Sequence, residues 1–125
     1  AVQEMVIRRM EEIVAGQAAS FGVSATLDYE IGYPATINDP ARAEFAAEVA
    51  AEVVGEGLVD GHSGREMGAE DFAYMLEARP GAYLFVGAGP GAGLHNTRYD
   101  FNDALLPIGA SILARLAERA LPVGG

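Results

Sequence analysis

The segment 82–88 reads AYLFVGA and is apolar throughout. As a strand it has no wet face, so it needs cover on both sides, the situation of a central strand in an α/β sheet. The segment 23–33, VSATLDYEIGY, makes the opposite demand. Val23, Ala25, Leu27, Tyr29, Ile31 and Tyr33 point one way, while Ser24, Thr26, Asp28 and Glu30 point the other. That alternation belongs to a half-buried strand with one solvent face. Two strands of such different kinds fit two sheets rather than one. The composition breaks at Gly32–Asn38, and a domain boundary is expected there.

Helices are expected around these strands. Residues 2–21 carry Val2, Val6, Met10, Ile13, Val14 and Phe21 on or near one face, with Glu4 and Arg8 paired at i,i+4 and Gly22 as a stop. No capping residue precedes this helix, so the chain is expected to open inside an element. Asp39-Pro40 starts a second helix reaching Val54, with Phe45, Val49 and Val53 as its apolar stripe. A weak strand and loop cover 58–67, and a short helix spans about 70–78, opened by Asp71 as a cap or first-turn acid. The last helix runs over about 104–120. Asn102 or Asp103 caps it, and Leu105, Ile112, Leu113, Leu116 and Ala120 form its core face.

Charge narrows the function classes. Eight basic residues face eighteen acidic ones, a net charge of −10. Nucleic acid and anionic membrane surfaces are poor partners for such a chain, because Lys and Arg supply most of the affinity for phosphate. The absence of cysteine excludes disulfides and thiolate metal sites. No apolar run approaches the ~20 residues of a membrane span, and a cytoplasmic setting is expected.

The glycine-rich loop GAGPGAGLHNTRYDFND, 87–103, follows the apolar run. A dinucleotide loop needs G-x-G-x-x-G opening directly into a helix. Here the third glycine position is Ala92, no lysine is present, and the expected helix begins some ten residues on. Phosphate cradling fails on spacing and on charge. His95 leaves the loop as a candidate metal ligand, yet zinc needs three or four ligands. The chain offers only His62 and His95 with carboxylates, and no H-E-x-x-H pair. On residue types alone His95 is either a ligand or a solvated loop histidine. Ser63 in GHSGR lacks the frame of a nucleophile elbow.

MGAEDFAYMLEARPGAYLFVGAG, LHNTRYDFNDALLPIGASILARLAE and GYPATIND, Gly32 to Asp39, together resemble the C-terminal end of the metal-dependent aminoacylase and carboxypeptidase family. The nearest branch contains hippurate hydrolase, N-acyl-amino-acid amidohydrolases and indoleacetyl-amino-acid hydrolases. The resemblance implies an α/β catalytic domain with two metal ions and an inserted lid that often mediates dimerisation. Residues 1–34 would be the last helix and strand of the lid, and residues 35–125 the returning C-terminal part of the catalytic domain. The implied reaction is hydrolysis of an N-acyl amino acid or peptide-like amide by a metal-activated water. His95 falls on the family's metal-ligand histidine, with zinc or manganese as the metal of the full-length enzyme and no metal necessarily bound by this chain. Gly68, Ala69 and Glu70 fall on a loop lining the substrate site, with Ala69 where serine is usual. No catalytic base maps onto the chain, so turnover requires N-terminal segments. A homo-oligomer is implied. The alternative reading is a non-enzymatic module that self-associates or binds a partner.

Overall fold

The structure, a computed structural model, describes residues 2–121. It divides between Gly32 and Tyr33 into two compact units.

The first unit is built on α1, Val2–Phe21. Gly22 ends it at φ 63, the left-handed conformation that only glycine adopts freely. The Gly22 amide donates to Ala19 at 3.3 Å and the Val23 amide to Ala18 at 3.0 Å, which closes the helix with a Schellman motif. Arg8 and Arg9 reach Glu12, at 4.0 and 2.6 Å. Ala18 is buried, but most of the apolar stripe is not: Val2, Ile13 and Phe21 are 72, 63 and 77% exposed. An open groove beside it is lined by Ile13, Val14, Phe21, Val23 and Ala25.

The second unit contains α2, Pro40–Val54, a 3-10 turn at Glu56–Leu58, α3, Phe72–Ala78, and α4, Leu105–Ala120. Asp39 caps α2 as its sequence predicts, its Oδ1 accepting the Arg42 amide at 3.0 Å, with Pro40 at the position where a missing amide proton is harmless. The core of the unit lies where α2 packs on α4. Ala46, Val49 and Ala50 are buried on α2, and Ile112 on α4. Across the rim Glu52 accepts from Arg115 at 2.7 Å and from Arg119, whose guanidinium lies 5.8 Å from the Phe45 ring centre. These exposed pairs add little; burial of the small apolar stripe holds the helices together.

Four expectations change. First, no strand forms among the described residues. The stretches 23–33 and 82–88 run without a ladder partner, and 58–67, beyond the last residue of the 3-10 turn, is turn and coil rather than a weak strand. A helix closes its hydrogen bonds within itself, whereas a strand exists only when another strand takes up its N–H and C=O groups. The α/β sheet is therefore not formed by these residues. Second, α4 turns Leu105, Ile108, Ile112 and Leu116 inward, while Leu113 is 67% exposed and Ala120 is exposed. Leu113 follows Ile112 by one residue, about a quarter turn away from the buried line. Third, α4 has no side-chain cap: Asn102 Oδ1 accepts the Ala104 amide at 3.1 Å, one residue before the helix. Fourth, Asp71 precedes α3 without capping it through its side chain.

Candidate functional site

Three loops carry the residues singled out from sequence. The first joins the apolar run to α4 and holds His95. The Asn96 amide donates to Gly93 at 3.3 Å, making a turn with Leu94 and His95 at its centre. His95 has φ 65, the one non-glycine residue with positive φ among the described residues. Left-handed backbone costs a residue with a Cβ about 1 kcal/mol, and residues held there cluster at functional sites. The side chain is exposed. Its neighbourhood is ordered by asparagines: Asn96 Oδ1 accepts the Arg98 amide at 2.9 Å, and Asn102 Nδ2 donates to the Ala88 carbonyl at 3.3 Å, closing the loop at its base. Gly89, at φ 80, provides the reversal near that base.

The described residues contain no group of three or more His, Asp or Glu side chains disposed to hold a metal ion. Among the described residues, this loop offers a divalent cation one imidazole and no complete centre. His62 lies in a separate exposed loop, its backbone amide donating to Asp60 at 2.8 Å.

The third loop precedes α3. Gly68 and Ala69 are exposed, and Glu70 is half-buried. Both carboxylate oxygens of Glu70 are engaged. Oε1 accepts the Phe72 amide at 3.2 Å, which serves the open N-terminus of α3 in place of Asp71, and Oε2 accepts the Tyr83 hydroxyl at 2.9 Å. The Phe72 amide, and after it the Tyr83 hydroxyl, hold the Glu70 carboxyl below the usual carboxylate range. The same bond to Glu70 pushes the Tyr83 phenol up.

Tyr83 is held in turn by Asn38. Asn38 Oδ1 accepts the Tyr83 amide at 2.7 Å, and Nδ2 donates to the Tyr83 carbonyl at 3.0 Å. One side-chain amide thus makes both bonds that a neighbouring strand would make. The Asp39 amide adds a bond to the Gly81 carbonyl at 2.9 Å. The Tyr83 ring packs against Phe72 and Phe85, with centroids 5.6 and 5.3 Å away. Neither Tyr83 nor a bond from Asn38 is marked in the sequence by charge or spacing. The one signal is an amide side chain beside a helix cap, facing an apolar run whose backbone needs partners.

Comparison with known proteins places these loops in a family. The model of peptidase family M20/M25/M40 matches residues 3–119. The putative amidohydrolase YhaA of Bacillus subtilis is 32% identical over 122 residues, covering 93% of this chain and 30% of the relative. IAA-amino acid hydrolase ILR1-like 4 of Arabidopsis thaliana is 34% identical, over 91% of this chain and 28% of its own length. Hippurate hydrolase of Campylobacter jejuni is 31% identical, over 95% of this chain and 31% of its own length. The chain thus spans less than a third of each of these relatives. No solved structure matches it.

Proposed function

Since the chain belongs to peptidase family M20/M25/M40, we propose that it is the C-terminal part of a divalent-metal-dependent amidohydrolase acting on N-acyl amino acids. Enzymes of this family generally depend on divalent metals. The substrate class rests on the names of the relatives, among them a hippurate hydrolase and an N-acetyldiaminopimelate deacetylase. In this reading the α/β catalytic domain is completed by segments outside these residues. The run 82–88 becomes a strand covered on both faces, and the stretch before Pro34 belongs to a lid.

The observation that carries the reading is His95. The family match runs through it, and it stands exposed on a base-closed loop at a backbone angle its side chain disfavours. A metal ion bound there would polarise the substrate carbonyl and activate water. His95 supplies one ligand, and Gly68, Ala69 and Glu70 border the substrate. The reaction base and the remaining ligands lie elsewhere in the enzyme.

The test compares His95→Ala with His62→Ala in the full-length protein. His95→Ala is expected to lower bound metal, measured by native mass spectrometry, and to reduce hydrolysis of an N-acyl amino acid such as hippurate about a thousandfold. His62→Ala should match wild type. The isolated chain should show no turnover. Normal metal content and turnover in a folded His95→Ala protein would remove the ligand assignment. The alternative, a non-enzymatic binding module, predicts that zinc binding is the same with and without the N-terminal segments.

A further inference from the structure

Glu70 stands in the proposed substrate-site loop, yet its carboxylate is committed to the protein. One oxygen takes the Phe72 amide and the other the Tyr83 hydroxyl. Tyr83 is fixed at its backbone by the two bonds from Asn38 and at its ring by Phe72 and Phe85. The chain of contacts therefore runs from the start of α2, through the apolar run, to the start of α3. It ends directly beside Gly68 and Ala69, which carry no side chain able to make a polar contact with substrate. What those two residues can offer is backbone, and backbone recognises a ligand only when it is held still.

We propose that Asn38, Tyr83 and Glu70 form a brace that positions the Gly68–Ala69 backbone for substrate, with Glu70 acting as a positioning residue through its geometry rather than through its charge. The inference rests on the reading of this loop as part of the substrate site. It separates two roles that a carboxylate in such a loop can play. A carboxylate that meets substrate or metal through its charge does not tolerate an amide. One that serves as a double acceptor does: in Glu70→Gln the side-chain carbonyl still accepts the Phe72 amide, and the amide NH2 donates to the Tyr83 oxygen, whose hydroxyl turns away.

The experiment uses the full-length protein with Glu70→Gln, Glu70→Ala, Tyr83→Phe and Asn38→Asp. Tyr83→Phe keeps the ring packing and removes one bond. Asn38→Asp keeps the acceptor for the Tyr83 amide and removes the donor to its carbonyl. Hydrogen exchange at the Phe72 amide is read first, and it does not depend on activity. Glu70→Ala and Tyr83→Phe should speed exchange about fivefold, the loss of one net hydrogen bond, while Glu70→Gln stays near wild type. Turnover of N-acyl amino acids is read next. Tyr83→Phe and Asn38→Asp should raise KM about fivefold with kcat nearly unchanged, the mark of lost binding rather than lost chemistry, and Glu70→Gln should restore what Glu70→Ala loses. Glu70→Gln as inactive as Glu70→Ala, in folded protein, overturns the positioning role. So does unchanged exchange at Phe72 in both Tyr83→Phe and Glu70→Ala. A wild-type protein that turns over no N-acyl amino acid counts against the proposed function instead, and the exchange measurements then decide the brace alone.

Discussion

At the scale of single residues, the Glu70–Tyr83 pair makes a pH-dependent contribution whose sign is fixed by its two shifts. The carboxyl of Glu70 is held down, first by the Phe72 amide and then by the Tyr83 hydroxyl. The extra stability that ionisation of Glu70 adds to these bonds is present above the ordinary carboxyl range and is lost as pH falls through the depressed folded value. The phenol of Tyr83 is raised by the bond to Glu70. Its effect is complete below the ordinary phenol range near ~10 and is lost as pH rises through the raised folded value. Tyr83→Phe should therefore be less stable than wild type over the middle of the pH range. Urea unfolding across pH should show the difference shrinking at both extremes, and a difference that is flat through them would exclude the bond as its source. His95 stands out in the sequence as a candidate because a motif and a lone loop imidazole mark it. The brace was not, because its members lie 13 and 45 residues apart and only folding brings them together.

At the scale of elements, legibility followed whether an element satisfies its own backbone. The limits of α1 and α2 agree with the periodic pattern and with Gly22 and Asp39-Pro40, since a helix needs only its own residues and its caps. The caps of α3 and α4 were harder, because several acceptors stand near each start and geometry chooses among them: Glu70 serves α3, and Asn102 reaches only Ala104. Strands at 23–33 and 82–88 depend on partners that these residues do not supply, so patterning that is correct for a strand yields none. Asn38 shows the need directly, standing in for a strand at the single position Tyr83. The α2 cap gives a clean test. Asp39→Ala removes the bond to the Arg42 amide but leaves the backbone bond to Gly81. It should lower stability by about 1 kcal/mol, and Asp39→Asn should recover most of it. Equal denaturation midpoints for Asp39→Ala and wild type would show that the cap contributes nothing.

At the scale of the whole molecule, two opposed forces set how copies of the chain meet. Large apolar side chains stand in water on several elements: Phe21 on α1 is 77% exposed, Leu106 and Leu113 on α4 are 60 and 67%, and Phe85 in the apolar run is 72%. Single exposed apolar residues are ordinary, but stripes of them along helices are surfaces that favour association. Against this stands a net charge of −10 on 125 residues, which makes two copies repel. Charge repulsion is screened by salt, over about 10 Å at 0.1 M and about 3 Å at 1 M, whereas burial of apolar surface is not weakened by it. The 125-residue chain should therefore self-associate, and more tightly as sodium chloride rises. Sedimentation velocity at tens of micromolar should give a mass above the 13.0 kDa of one copy, growing with salt. Ile13→Asp or Phe21→Asp should reduce it if the α1 face takes part, as both residues lie on that exposed stripe without a buried role. A single 13.0 kDa species at high salt would show that these faces do not find one another, and that charge is not what keeps copies apart.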